Sequence, residues 1–460
     1  MGDAEGGATD RGVVLLVTTL ASFLFPFMGS AIVIALPTIQ EELSLDAVMV
    51  GWIATSYLLS SATFLVPFGR IADIYGRKRI FNWGIAVFTV SSFLCGIAPS
   101  ATMLIAFRVL QGIGGAMLAG TAVALVTTVY PASQRGRVLG INVAATYIGL
   151  SIGPVLGGVL TQNLGWRSIF YLSGFLGLAV IGVVLWKLKG EWTGARGEKL
   201  DYTGSVVYIV GLVALVIGLS VLPARSGVWL IAGGAAALGA FVWWEMRAAS
   251  PVLDIRLFRN SRPFTFSNIA ALINYSATYA VSFLISLYLQ YIKGFDPEIA
   301  GFILVAMPVM QAIFSPLAGR LSDRIEPRLI ASTGMALTTV GLIIFIFANK
   351  ETALELILGN LVLIGFGFAL FSSPNTNAVM SSAPRMAYGV ASATLATMRQ
   401  VGMVLSMAIV MLMFALYIGS VEITSEYYPL FQASMRVSFI IFSALCFAGI
   451  FASLARGKVR

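Results

Sequence analysis

The sequence contains no histidine, only two cysteines and few charged residues, which make up 11% of its 460 positions. Without histidine, the chain lacks the most common general base and the most common transition-metal ligand of proteins. Cys95 and Cys446 lie in separate apolar runs, so neither a disulfide framework nor a metal site is predicted. We therefore expect no metal and no cofactor.

Missing motifs disfavour two kinds of activity. No G-x-x-x-x-G-K-[ST] string is present, so direct use of ATP is not expected. The apolar runs contain no H-E-x-x-H spacing and no central pair of acids, so a membrane-embedded enzyme is disfavoured as well. The sequence predicts a protein that is not an enzyme.

Apolar residues dominate what is present: 58% of the chain is hydrophobic and the mean hydropathy is +0.91. A membrane-spanning helix needs roughly 20 mostly apolar residues. Fourteen runs meet this condition, and the sequence therefore predicts an all-α integral membrane protein. We number the predicted spans 1 to 14; they lie near 13–36, 49–68, 80–97, 102–129, 138–161, 168–187, 203–222, 228–245, 265–291, 298–318, 329–348, 353–373, 387–418 and 432–454.

The positive charges show how the spans are oriented. The net charge is +9, and with the N-terminus inside, 22 of the 29 Lys and Arg residues fall on predicted inner segments and 5 on outer ones. Basic residues concentrate in cytoplasmic loops, so both termini are predicted to be cytoplasmic. The first run has no basic stretch before it and no small-residue cleavage site after it, which predicts an uncleaved first span. Because the basicity follows topology, no nucleic-acid partner is expected.

A short repeat divides the chain. The string GRIAD at 69–73 recurs as GRLSD at 319–323, each time after the second span of a six-span block. This pattern predicts a six-helix half at 1–188, two inserted spans with linkers at 189–264, and a second six-helix half at 265–460. Paired halves are typical of transporters that expose a central site alternately to the two membrane faces.

The segment GRIADIYGRKR at 69–79 concentrates charge between two apolar runs. One interpretation is an ordinary inner loop that obeys the charge bias. The other is a gate: Gly69 and Gly76 allow a tight turn or a close helix approach, and Asp73 can pair with an arginine such as Arg70 or Arg77. An ion pair that forms in only one conformation would hold the cytoplasmic side shut, and Gly319 and Asp323 are the matching positions of the second half.

Three segments carry a resemblance to the major facilitator superfamily. The first matches the loop signature Gly-x-x-x-Asp-x-x-Gly-Arg-Lys at Gly69, Asp73, Gly76, Arg77 and Lys78. RVLQGIGGA at 108–116 resembles the motif of the fourth span, whose arginine faces the cavity in that family. GLSIGPVLGG at 149–158, with Gly153, Pro154 and Gly157, resembles the fifth-span motif associated with export, although kinked and tightly packed helices also use such residues.

The fourteen spans and the strings PVLDIRLFRN (251–260) and RQVGMVLSMAI (399–409) narrow the resemblance to fourteen-span drug/proton antiporters. The resemblance implies a monomeric, multi-pass protein of a prokaryotic cell membrane that exports small amphipathic molecules in exchange for protons. One departure is Met28, which stands about where relatives that expel quaternary cations often carry an aspartate. The sequence has no central acid, so Asp73 is the one candidate named for proton coupling.

Charged residues inside a membrane are costly and by default functional, and only Arg108 and Arg399 fall within spans. We expect both to face a watery chamber, with Gln111 beside Arg108, although Arg108 could instead bond backbone carbonyls. Together with the missing acid in span 1, they favour an alternative function: an exporter or facilitator of a specific anionic or zwitterionic metabolite, without required proton coupling.

Span 9 is unusually polar. Its polar residues recur at helical spacing, which predicts one stripe along the helix. We interpret the stripe as chamber lining; interhelical hydrogen bonding is the alternative. The candidates on span 9 are Asn268, Asn274, Tyr275 and Tyr279, with Thr278, Ser282 and Ser286, and those on span 5 are Asn142 and Tyr147. In span 12, Pro374 is expected to break the helix near its inner end.

Overall fold

The computed structural model describes residues 11–188, 190–195, 197–248, 250–253, 255–383 and 388–457. Fourteen helices of this described part are long and apolar enough to cross a membrane, which confirms the all-α membrane fold. Of the inner basic residues counted above, Lys189, Arg196, Arg385, Lys458 and Arg460 lie outside the described residues.

The first eight spans are single helices. They run Arg11–Leu43, Ala47–Tyr75, Arg77–Gly96, Ala101–Val129, Ala132–Leu164, Arg167–Lys187, Tyr202–Ser220 and Arg225–Glu245.

The last six spans are less regular, and a short helix, Arg256–Asn260, precedes them. Span 9 consists of Arg262–Thr278, Ala280–Leu287 and a π-helical turn at Tyr288–Ile292; span 10 consists of Pro297–Leu304 and Ala306–Ser322. Spans 11 to 14 run Pro327–Ile346, Leu354–Ser381, Tyr388–Tyr417 and Tyr428–Ala455.

Two predictions about helix ends are wrong. The helix of span 2 continues through Gly69 to Tyr75, so the turn occurs at Gly76 alone, where φ is +124°. Span 12 also continues past Pro374 to Ser381. A proline removes one N–H from the helix ladder, but a membrane helix tolerates it where neighbouring groups satisfy the freed carbonyl.

The two six-span halves pack in the same way. In the first half, span 1 packs on span 5, span 4 on spans 2 and 3, and span 3 on span 6. In the second half, span 9 packs on span 13, span 12 on spans 10 and 11, and span 11 on span 14. Adding eight to each span number of the first half reproduces the second. The domain boundaries at 188/189 and 264/265 remain a prediction.

The contacts between the halves follow the same symmetry. Span 2 packs on span 13 and span 5 on span 10, while spans 1 and 9 meet on the axis. Of the inserted pair, span 7 packs on spans 2 and 13, where the Tyr208 hydroxyl donates to the Ala62 carbonyl at 3.1 Å. Span 8 packs mainly on span 7 and exposes Trp229 and Trp243. The inserted pair therefore covers one seam between the halves.

Candidate functional site

A chamber of about 430 Å³ lies between the halves, at the centre of the fold. Its walls come from spans 1, 2, 4 and 5 of the first half and spans 9, 10, 12 and 13 of the second. Most of the lining is apolar or aromatic. The side chains that set this character include Phe25, Tyr57, Leu118, Phe283, Met307, Phe368, Met403 and Met407.

Among the described residues that line this chamber, Arg399 is the single charged side chain. It lies 11 residues after the first residue of span 13, Tyr388, which places it ~17 Å along the helix. Its Nη2 donates to the Thr376 hydroxyl at 2.6 Å, and its guanidinium carbon lies 5.6 Å from the centre of the Tyr275 ring. Its Nε has no partner among the described residues. The chamber therefore contains a cation whose hydrogen-bonding capacity is only partly used.

Several residues predicted from the sequence do line the chamber. Tyr147 faces it from span 5 and Tyr275 and Tyr279 face it from span 9, together with Thr278 and Ser282. The Ser315 hydroxyl of span 10 donates to the Tyr147 hydroxyl at 3.2 Å, which joins the two halves beside the chamber. The polar stripe of span 9 is thus chamber lining along its central turns.

The position of Arg108 differs from the prediction. Its side chain is fully buried, and it lies behind Tyr57, with its guanidinium carbon 4.3 Å from the ring centre. Its Nε donates to the Ile53 carbonyl at 3.1 Å and its Nη1 to Gln111 Oε1 at 2.7 Å, while Gln111 Nε2 donates to the Ser92 hydroxyl. Arg108 and Gln111 join spans 2, 3 and 4, because Tyr57 occupies the wall in front of them.

Three predicted asparagines also lie away from the chamber. Asn142 accepts a hydrogen bond from the Thr19 hydroxyl at 3.1 Å and so joins spans 1 and 5. Asn268 donates to the Phe264 carbonyl of its own helix, and Asn274 is fully buried without a side-chain partner among the described residues. Helical spacing did not separate these inward-packed positions from the neighbouring face.

Other lining residues were missed by the sequence reasoning. Tyr57, Gln311 and Gln400 bring polar atoms to the wall, and Phe25 packs on Tyr57 with ring centres 5.2 Å apart. The run TSYLLSSAT at 55–63 carried a usable signal, since small polar residues around one tyrosine are unusual in a lipid-facing helix.

The outer end of the chamber is closed by hydrogen bonds between spans 9 and 1. Pro37 has no N–H for the Val33 carbonyl, and the Ser286 hydroxyl donates to that carbonyl at 3.1 Å. Gln290 Nε2 donates to the Ile34 carbonyl at 3.1 Å, and the Tyr291 hydroxyl donates to Gln40 Oε1. We call these three bonds the outer latch. Ser286 therefore belongs to the closure and not to the chamber wall.

Glycines allow the same closure to pack tightly. A Cβ at Gly153 would lie 1.9 Å from the Ser30 hydroxyl, and one at Gly157 would lie 2.6 Å from the Ala31 carbonyl, so span 5 rests directly on span 1. A Cβ at Gly301 of span 10 would lie 2.3 Å from the Pro154 carbonyl. The fifth-span motif thus packs against both halves at the outer side.

The inner loop signature is bonded within its own half and to the linker that follows span 6. Arg77 Nε donates to Asp73 Oδ1 at 2.8 Å, and Arg70 pairs with Glu198. Glu191 accepts from the backbone N–H groups of Lys78 and Arg79 at 2.9 and 3.2 Å, which caps span 3.

The matching segment of the second half is bonded within that half. The Gly319 carbonyl accepts from the Ser322 hydroxyl, and a Cβ at Gly319 would meet the Ser373 hydroxyl at 2.8 Å; Asp323 ends the helix of span 10. The two signature segments thus bond separately while the outer side is latched. This arrangement is inward-facing.

This geometry of two packed six-helix halves around a chamber defines a transporter fold, and the sequence comparison agrees. The profile of the Major Facilitator Superfamily matches residues 18–201 and 268–459. The chain belongs to the major facilitator superfamily, as the sequence motifs predicted.

Similar proteins include transporters of several kinds. The multidrug resistance protein Stp of Mycobacterium tuberculosis (strain CDC 1551 / Oshkosh) is 33% identical over 408 residues, which cover 86% of this chain and 74% of Stp. The cephamycin export protein CmcT of Amycolatopsis lactamdurans is 33% identical over 410 residues, or 86% of this chain and 84% of CmcT. The riboflavin transporter RibZ of Clostridioides difficile (strain 630) is 27% identical over 443 residues, or 96% of each chain.

A solved structure supports the fold. A bacterial homologue of the human lysosomal transporter Spinster, crystallised in an inward-facing and unoccupied conformation, aligns with a TM-score of 0.71 and 18% identity. The alignment covers 97% of this chain and 98% of that one. At this identity the likeness concerns the fold alone.

Proposed function

We propose that this chain is a proton-coupled exporter of small amphipathic compounds that works by alternating access in the cytoplasmic membrane of a prokaryote. The observation that carries the proposal is the largely apolar chamber between two halves that are latched at the outer side. A greasy wall with scattered hydroxyl and amide groups suits amphipathic ligands of varied shape. The export functions named for Stp and CmcT support the same direction of transport.

The transport step is a rearrangement of the two halves around the chamber. A ligand enters from the inner side, and the outer latch then opens while the inner segments approach each other. Gly69, Arg70, Asp73, Gly76 and Arg77 of the first half and Gly319 and Asp323 of the second are the proposed inner gate. Gly153, Pro154 and Gly157 are proposed to guide the movement of span 5 against span 1, since their backbone is in direct contact with it.

For the proton we propose Asp73. Its carboxylate holds Arg77, whose Nη2 lies 2.7 Å from Asp73 Oδ1, and Arg77 also donates to the Ala124 carbonyl at 3.3 Å. Protonation of Asp73 would remove the charge that attracts Arg77 and so loosen the joint between spans 2 and 3. This assignment would couple the inner gate to the proton gradient while the chamber binds the ligand. We propose that the monomer is the working unit, because each chain contains a complete chamber.

Everted membrane vesicles test this function. After a pH gradient is built up and followed with a pH-sensitive dye, addition of an exported compound should collapse it, and Asp73→Asn should abolish the collapse. Ligand binding by purified Asp73→Asn protein should persist. Collapse at the wild-type rate in the Asp73→Asn variant would refute the assignment of Asp73. Absence of collapse with every compound of a cationic, neutral and anionic panel would refute proton-coupled export.

A second candidate function is favoured by Arg399. A single cation in the chamber suits a specific anionic or zwitterionic metabolite, and one similar protein is named for riboflavin transport. Equal transport of such a metabolite with and without a pH gradient would support this second function over proton-coupled export.

A further inference from the structure

We infer that the Arg399 guanidinium, held by Thr376 and facing Tyr275, is a subsite for a carboxylate or similar anionic group of an amphipathic aromatic substrate. This inference rests on the proposed function, because it names the substrate class of the same chamber. It starts from one fact: no carboxylate lies among the described residues that line the chamber. The cation is therefore available to a ligand.

The geometry leaves the guanidinium free to recognise a planar anion. Among the described residues it makes one side-chain hydrogen bond, to the Thr376 hydroxyl, and that hydroxyl in turn donates to the Ser372 carbonyl at 2.8 Å. The chain of two bonds fixes the direction of the guanidinium. An arginine offers five N–H donors in a fork that matches a carboxylate with two parallel bonds, and the unpartnered Nε belongs to that fork.

The surroundings of the subsite favour an aromatic body next to the anionic group. Tyr275 lies 5.6 Å from the guanidinium carbon and packs edge-on against Phe368, with ring centres 5.2 Å apart. Toward the outer latch the wall becomes apolar, with Phe283, Met403 and Met407. A ligand with one charged end would therefore bind with that end at Arg399 and its rings toward the closed outer side.

Two dyes with one scaffold and opposite charge test the subsite. Fluorescein is an anion at pH 8 and rhodamine 123 is a cation, and both carry the three-ring xanthene core. Binding to the full chain in lipid nanodiscs is followed by fluorescence anisotropy at low and high salt. The variants are Arg399→Gln, which removes the charge, and Arg399→Lys, which keeps the charge without the fork. Arg225→Gln is the matched control, because Arg225 is an exposed arginine at the outer start of span 8.

The wild type should bind fluorescein more tightly than rhodamine 123, and salt should reduce the difference. Arg399→Gln should weaken fluorescein binding about 10- to 100-fold, the range expected for lost hydrogen bonds to a charged group. The same variant should leave rhodamine 123 binding unchanged or make it tighter. Arg399→Lys should fall between the wild type and Arg399→Gln, and Arg225→Gln should match the wild type.

Three results would overturn the inference. They are tighter binding of rhodamine 123 by the wild type, unchanged fluorescein binding in Arg399→Gln, and an equal loss of both dyes, which would indicate a packing role. Each variant is first checked for a single size-exclusion peak and a thermal transition. Because the nanodiscs carry no pH gradient, a failed subsite leaves the vesicle assay of export unaffected, and the two failures remain distinct.

Discussion

Arg108 and Arg399 are the two arginines within the spans, and the protein uses them in opposite ways. Arg108 is fully buried, stacks on Tyr57 and bonds to Ile53 and Gln111 inside the first half. Arg399 is partly exposed, faces the chamber from the second half and bonds only to Thr376 among the described residues. Whether such a cation has a structural role or contacts a ligand thus depends on which protein groups already occupy its donors.

The same contrast extends to the two halves. In the first half, Gln111 and Asn142 bond across neighbouring helices, and Tyr57 presents a ring to the chamber in front of Arg108. In the second half, Tyr275, Tyr279 and Arg399 bring polar groups directly to the wall. We therefore expect substitutions in the first group to affect stability and those in the second to affect ligand choice.

The largest effect is expected from Arg108→Ala. The change removes a large buried side chain and leaves Gln111 Oε1 without its donor, so the variant should lose about 3 kcal/mol of stability. Thermal unfolding in detergent measures the loss, and transport of all compounds should fall together. The double variant Arg108→Met/Gln111→Leu should recover part of the lost stability, because it removes both polar partners. Selective loss of one charge class of substrate would contradict the structural role.

A smaller and selective effect is expected from Thr376→Val. The substitution keeps the shape of the side chain and removes the hydroxyl that fixes Arg399. Fluorescein binding should weaken about three- to tenfold, as for the loss of one positioning hydrogen bond, while the unfolding temperature stays unchanged. Thr376→Ser restores the hydroxyl and should restore binding. If Thr376→Val weakens both dyes equally, Thr376 acts through packing and not through Arg399.

Sequence periodicity was sufficient for the fourteen spans, since bilayer thickness imposes a length and a composition on each helix. The face of each helix was harder to predict. Asn274 and Tyr275 are adjacent, yet only Tyr275 reaches the chamber, and Arg108 is withdrawn because Tyr57 of another span covers it. Such outcomes depend on the rotation of one helix against its neighbours. Pro374 shows a similar limit, because its cost in a helix depends on what surrounds the freed carbonyl.

The outer latch joins the two halves directly, and Ser286→Ala tests its strength. Loss of the bond to the Val33 carbonyl should weaken the outer closure by about 1 kcal/mol, which corresponds to roughly a fivefold rise in outward opening. A cysteine placed at the chamber-lining Met407 reports opening through its labelling rate with an impermeant maleimide, since Cys95 and Cys446 are buried.

Ser438→Ala is the matched control for this latch, because the Ser438 hydroxyl bonds only to the Ser434 carbonyl of its own helix. Its labelling rate should equal that of the wild type. An unchanged labelling rate in Ser286→Ala would mean that glycine packing at Gly153, Gly157 and Gly301 holds the outer side closed without help from the hydrogen bond.

The smallest effect is expected at the inner linker, from Glu198→Gln. The side chains of Arg70 and Glu198 are 20% and 49% exposed, and an ion pair this open to solvent contributes at most about 1 kcal/mol. Stability and transport should therefore stay close to wild type, and any difference should disappear at high salt because the charges are screened. A transport defect as large as that of Ser286→Ala would show that Arg70 needs Glu198 for gating. The inner side would then be held by the linker as firmly as the outer side is held by its latch.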